Sequence, residues 1–237
     1  MKTTISAFKQ TTSFPEQAIV LIFDLEDFSK FFSHPDINEY VPKLLNIILQ
    51  EINATIKGEK PYWAVDIDEE PITIPKFPEL RYSKFLGDGA LYIWNYNDFT
   101  EQQRLDLIST FWLLKIKYQR ILKKATEQIP FPDIPKNIRF GISAGSVYPL
   151  RYEDSEGEEF IGYCINLASR LQNYCRDIGF IVSGRLNIKP ADLEGGQYVK
   201  VVARKIKGFP EEIVIIDRKE YEALDHRIKV ELFSTIK

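Results

Sequence analysis

Two aspartates and one asparagine–arginine pair are the side chains whose placement could do chemistry. Asp24 stands near the end of an apolar run, in Phe23-Asp24-Leu25-Glu26-Asp27-Phe28. A carboxylate there is costly to bury unless it is paired or bound to a metal. Asp88 stands in a Gly87-Asp88-Gly89 turn between two apolar runs. Each alone has an ordinary reading, a strand-end cap for Asp24 and a turn residue for Asp88. If the strand ending at Asp24 lies beside the hairpin that carries Asp88, the two carboxylates can converge. With the oxygens of a triphosphate they would make the hard, oxygen-rich site that magnesium prefers. Asn166 and Arg170 are four residues apart in a helical pattern, so they stack on one helix face, while Ile165, Ala168 and Leu171 face inward. The ordinary reading of that pair is a solvated polar edge. The functional one has Arg170 holding a phosphate and Asn166 holding a ribose or its oxygen.

The elements that must position these residues are legible in the pattern. Ala18–Leu25 is a continuous apolar run, as in a strand buried on both faces. Asn38–Ile56 has helical spacing, with Pro42 tolerable only in the first turn. Leu80–Leu86 and Ala90–Asn95 read as strands joined by the tight turn at Asp88. Phe99–Gln128 reads as one long amphipathic helix, ended by Pro130, Pro132 and Pro135. Ile138–Ser143 and Ser146–Leu150 read as a strand pair hinged near Gly145. Tyr163–Asp177 reads as a helix, followed by strands at Phe180–Ser183, Tyr198–Ile206 and Glu212–Asp217 and a short helix near Lys219–Leu224. This order predicts an α+β fold, a ferredoxin-like, palm-type sandwich with a mainly antiparallel sheet and helices on one face.

The chain has 237 residues, 44% of them hydrophobic, enough for one sizeable core. No composition shift marks a boundary, so a single domain is expected over 1–237. Its core should span about 17–217, behind a polar lead-in at 1–16. The stretch 57–78 carries four prolines, five acids and little period, and reads as an irregular insertion. The net charge of −3 implies no broad nucleic-acid partner. No apolar run reaches the ~20 residues of a membrane span, and the N-terminus lacks the apolar core of a secretory signal. A cytoplasmic location is therefore expected. Cys164 and Cys175 fall in the same predicted helix, too far apart to bridge each other, and read as buried thiols. His34 and His226 have no metal-ligand spacing.

Four segments, in order, resemble the catalytic domain of class III adenylate/guanylate cyclases. Phe23-Asp24-Leu25-Glu26-Asp27-Phe28-Ser29 resembles the family's first metal motif, and Lys84-Phe85-Leu86-Gly87-Asp88-Gly89 resembles the second. Arg139-Phe140-Gly141-Ile142-Ser143-Ala144-Gly145 resembles its Arg-x-Gly-Ile-x-x-Gly strand pair. The stretch from Glu159 to Leu171 resembles the helix bearing the family's transition-state asparagine and arginine. The match spans about Ala18 to Asp217.

The resemblance implies an active site shared between two catalytic domains, hence a head-to-tail homodimer with two equivalent sites. It implies two Mg²⁺ or Mn²⁺ ions held by Asp24, Asp88 and the carbonyl of Leu25. It also implies in-line attack of the ribose 3′-hydroxyl on the α-phosphorus of a nucleoside triphosphate, giving a 3′,5′-cyclic monophosphate and pyrophosphate. The partner's Arg170 would stabilise phosphoryl charge and the partner's Asn166 would orient the ribose. Lys84 and Glu159 fall at the family's base-reading positions. As donor and acceptor they suit adenine or cytosine, and uracil in another arrangement, and disfavour guanine.

The choice among UTP, CTP and ATP stays open on hydrogen-bond logic. The chain shows no sensor or coiled-coil module, has the insertion at 57–78, and carries Gly-Asp-Gly where Gly-Asp-Ala is usual. In these respects it resembles the small pyrimidine cyclases of bacterial Pycsar anti-phage systems, which make cyclic UMP or cyclic CMP. An adenylate cyclase and a catalytically silent nucleotide-binding relative are the alternatives. Two departures matter. Phe209 stands where the family's triphosphate lysine is expected, leaving Lys207 or Lys205 as substitutes. Glu26 and Asp27 replace an apolar-Gly pair, either tightening metal binding or simply solvated, the reading favoured here.

Overall fold

The first strand, β1 (Glu16–Leu25), is the axis of the molecule because its apolar residues serve both faces of one sheet. Ile19, Leu21 and Phe23 enter the main core, while Ala18, Val20 and Ile22 enter a smaller one on the other face. The computed structural model describes residues 8, 14–35, 37–65, 71–131, 133–153, 157–193 and 196–236. Most of the lead-in expected at 1–16, Pro132, and residues 66–70 of the insertion lie outside the described residues.

After β1 come α1 (Phe28–Phe32), α2 (Tyr40–Ile56), β2 (Tyr82–Phe85), β3 (Gly89–Asn95), α3 (Glu101–Ile116), α4 (Tyr118–Thr126) and β4 (Ile138–Arg151). Strands β2, β3, β1 and β4 lie side by side in that order, each antiparallel to the next. With α2 in one crossover and α3–α4 in the other, this is the expected ferredoxin-like palm. The sheet continues through β6 (Phe180–Ser183), parallel to β4, then β8 (Glu212–Asp217), β7 (Tyr198–Ala203) and β9 (Phe233–Ser234). β5 (Glu158–Gly162) pairs with the outer half of β4. α5 (Tyr163–Gln172) follows β5 directly, and α6 (Arg218–Ala223) and α7 (His226–Leu232) follow β8.

Helices α2, α3 and α4 pack on the Ile19 face through Leu44, Ile48, Phe111 and Ile121. Cys164 and Ala168 of α5 meet the Val20 face. That approach depends on Gly141 of β4, where an added Cβ would lie 2.1 Å from the carbonyl oxygen of Ala168. Pro42 sits in the first turn of α2, as its missing N–H requires. α3 opens with a full capping box between Thr100 and Gln103.

Several elements differ from the reading of the sequence. The expected single helix over 99–128 breaks at Lys117 into α3 and α4. The expected strand pair hinged at Gly145 is one fourteen-residue strand, β4. It runs through Pro149 because that residue lies on the outer half, beyond the β1 pairing that ends at Val147. The helix at 163 stops at Gln172, so Cys175 lies beyond it; both thiols are free and buried. The irregular 57–78 stretch is irregular as read, but Trp63, Ala64 and Phe77 anchor it in the main core. Leu224 and Phe233 are buried as well, so packing runs past the expected limit at 217.

Candidate active site

The sheet register brings Asp24 and Asp88 together. Asp24 pairs with Gly89 across β1 and β3, and the Leu25 N–H donates to the Asp88 carbonyl at 3.0 Å. An added Cβ at Gly89 would sit 1.9 Å from the Phe23 carbonyl oxygen. Glycine at 89 is therefore what lets the turn lie against the end of β1. The Asp24 carboxyl is pushed up to about 6, by burial first and also by the neighbouring Asp88 carboxyl. Among the described residues no third acidic, histidine or cysteine side chain joins the pair. Two converging carboxylates, one hard to ionise by itself, suit a dication whose remaining ligands are backbone and substrate oxygens. Leu25 itself is buried at the end of β1.

Arg139, which the sequence offers only as part of a motif, is the counter-charge that meets Asp24. It lies opposite Asp24 in the β1–β4 register and donates from Nη2 to Asp24 Oδ2 at 2.6 Å. Its Nη1 reaches Asn173 Oδ1 just past α5, and its buried Nε has no hydrogen-bond partner among the described residues. The favoured reading of Glu26 and Asp27 as solvated holds for Asp27 alone. Asp27 is exposed and left-handed, at the start of α1. Glu26 is not solvated but paired, accepting from Arg176 Nε at 3.1 Å and Asn137 Nδ2 at 2.8 Å. Those bonds turn its carboxylate to the β4 side.

A second cluster forms around Glu159. Lys84 Nζ donates to its Oε1 at 2.6 Å and Tyr82 Oη to its Oε2 at 2.9 Å. These two donors hold the carboxyl below its ordinary value, Lys84 most strongly, against some desolvation. Lys84 lies four residues before Asp88 on the same hairpin, so one short segment serves both clusters.

Asn166 and Arg170 are exposed on one face of α5, with Leu167, Ala168 and Leu171 buried beneath them. Among the described residues, no hydrogen bond or ion pair ties either to Asp24 or Asp88. Lys207 is exposed and without an ion-pair partner among the described residues, whereas Lys205 pairs with Glu231 at 2.9 Å. Phe209 has a structural job: its ring meets that of Tyr163 edge-on at 4.8 Å, while the Arg185 guanidinium covers Tyr163 at 4.7 Å. Arg185 is itself held by the buried Glu212.

No family model matches the sequence, and no curated protein matches it. Solved structures do. The guanylyl cyclase Cya2 superposes with a TM-score of 0.59 at 19% identity, covering 87% of this chain and 93% of that one. The adenylyl cyclase CyaB from P. aeruginosa also scores 0.59, at 16% identity, covering 87% of this chain and 96% of its own. A bacterial light-regulated adenylyl cyclase scores 0.58 at 14% identity; 94% of this chain aligns with 56% of that one. The fold is that of class III nucleotide cyclase catalytic domains.

Proposed function

We propose that the chain is a homodimeric nucleotide cyclase that converts a nucleoside triphosphate to a 3′,5′-cyclic monophosphate and pyrophosphate. The observation that carries this reading is the convergence of Asp24 and Asp88 at the β1–β3 junction. Asp24, Asp88 and the Leu25 carbonyl would hold two Mg²⁺ or Mn²⁺ ions. Bound there, the ions would neutralise the triphosphate and acidify the ribose 3′-hydroxyl.

The remaining work belongs to side chains. Lys84 and Glu159 present a donor and an acceptor to the base, and Lys207 meets the triphosphate. The partner subunit's Asn166 orients the ribose. The partner subunit's Arg170 stabilises charge on the α-phosphoryl group as the 3′-oxygen bonds to phosphorus and the bond to pyrophosphate breaks. The 3′-hydroxyl proton leaves to solvent. The exposure of Asn166 and Arg170, without partners of their own among the described residues, supports a role across a subunit contact. So do the exposed apolar side chains of Phe85, Leu86, Ile161 and Tyr163 on neighbouring elements.

The substrate we favour is a pyrimidine triphosphate, UTP before CTP, with the cyclic product serving anti-phage signalling; ATP is the alternative. Support for a pyrimidine comes from the Gly-Asp-Gly turn and the insertion at 57–78, in which the chain resembles the pyrimidine cyclases, while the Lys84–Glu159 donor–acceptor pair suits ATP as well and argues only against GTP. Incubating the protein with each of the four triphosphates and Mn²⁺, then identifying products by mass, tests both levels. Cyclic UMP or cyclic CMP is expected. Preferential cyclic AMP would overturn the pyrimidine assignment, and no cyclic product from any of the four would overturn the cyclase.

A further inference from the structure

Glu159 is held by more than its lysine. Tyr82 and Lys84 are two residues apart on β2 and so emerge on one face of the strand. They take different oxygens of the Glu159 carboxylate, Oε2 and Oε1. A carboxylate gripped at both oxygens cannot rotate without breaking one bond. The flanking residues are gripped too. The Tyr82 ring packs on Phe160 with centroids 5.0 Å apart, the Arg81 guanidinium covers the same Phe160 ring at 4.8 Å, and Arg81 Nη1 meets Glu158 Oε2 at 2.7 Å. Three successive residues of β5 are thus docked on three of the hairpin, Arg81, Tyr82 and Lys84.

We propose that Tyr82 is a specificity-positioning residue: its hydroxyl fixes the plane of the Glu159 carboxylate, so that the free lone pairs face a nucleobase N–H while Lys84 faces the adjacent base acceptor. The inference rests on the cyclase reading for its substrate, and it deepens that reading. A phenol facing a carboxylate can only donate, and the Tyr82 hydroxyl, pushed up to about 12 by burial first and then by Glu159, keeps its proton. A carboxylate has about four acceptor positions, so two remain for the base. The ligand class is therefore a nucleotide whose base edge sets an N–H beside an acceptor. A base lacking that N–H would leave the remaining acceptor positions of the fixed carboxylate unfilled, which is where discrimination arises.

Tyr82→Phe keeps the ring on Phe160 and removes only the hydroxyl. Equilibrium binding of UTP, CTP, ATP and GTP is measured by calorimetry for both proteins, with turnover measured beside it. The expected result is a loss of about tenfold in base preference, seen in Kd and KM with kcat nearly unchanged and the melting temperature retained. Unchanged base preference in the variant overturns the proposal, as does a wild type that binds none of the four. A wild type that binds with base preference yet makes no cyclic product defeats the cyclase reading alone, and the binding comparison still decides Tyr82. If the variant melts early, binding is compared below its melting temperature, and a base preference unchanged in the folded variant counts against the hydroxyl's role.

Discussion

Arg139 donates from Nη2 to Oδ2 of Asp24 at 2.6 Å, and still the Asp24 carboxyl is pushed up to about 6. Burial and the adjacent Asp88 outweigh the guanidinium. A folded-state value raised above 3.8 means that the folded chain holds this proton more tightly than the unfolded one. The ionised carboxylate therefore opposes folding, and the opposition develops as pH rises from about 4 to about 6. A dication binding the ionised form reverses it. With Mn²⁺ a hundredfold above its Kd, the gain should be about 2.7 kcal/mol, a melting shift of roughly 5–10 °C for a chain of this size. The shift should be large at pH 8 and small at pH 5, where protons compete. Thermal scans with and without Mn²⁺ check it; equal shifts at both pH values, or none, would remove Asp24 from the metal site.

Asp24→Ala and Asp88→Ala should each lower turnover by at least about a thousandfold. Asp24→Ala also removes the ion-pair partner of the half-buried Arg139, leaving it only Asn173 among the described residues, and should melt earlier than Asp88→Ala. Substantial residual turnover in either variant would refute the metal role.

Mixing Asp24→Ala chains with Arg170→Ala chains should restore about a quarter of wild-type activity if subunits pair at random, because each heterodimer holds one intact site. Heterodimers shown by native mass spectrometry to have formed, yet inactive, would dismiss the shared site.

Much of this site was legible before the fold was known. β1 and the Asp88 hairpin declare themselves because an unbroken apolar run and a Gly-flanked turn have few other solutions. Asn166 and Arg170 fall on an exposed helix face, as their spacing implied. Arg139 was not legible as a partner of Asp24, because that contact exists only through the β1–β4 register, across 115 residues of chain. Glu158–Gly162 was missed as a strand because only its Phe160 is buried, so period two is scarcely visible. The break at Lys117 carries no glycine or proline to announce it.

Gly89→Ala should be severely damaging, since its Cβ would meet the Phe23 carbonyl at 1.9 Å. A cost of about 2–3 kcal/mol is expected, with metal affinity falling as the turn lifts from β1. Calorimetric titration with Mn²⁺ beside a denaturant melt reads both; a tolerated alanine would dismiss the close approach as the reason for glycine.

Phe209→Ala should destabilise by about 1 kcal/mol through lost ring contact with Tyr163 while leaving KM for the triphosphate unchanged. Lys207→Ala should do the reverse, raising KM about tenfold with stability kept. Steady-state kinetics and melts on the two variants separate the roles; a KM change confined to Phe209→Ala would reassign the phosphate contact.

The short hairpin that bears Tyr82, Lys84 and Asp88 leaves almost no room for length variation. Alternation along a strand has a period of two, so inserting or deleting one residue between Tyr82 and Asp88 would swing the aromatic and the lysine to the wrong side of the ribbon. The same slip would carry the aspartate out of line with β1. This stretch can tolerate exchange of side chains but not an indel, and natural variation within it should be confined to substitutions.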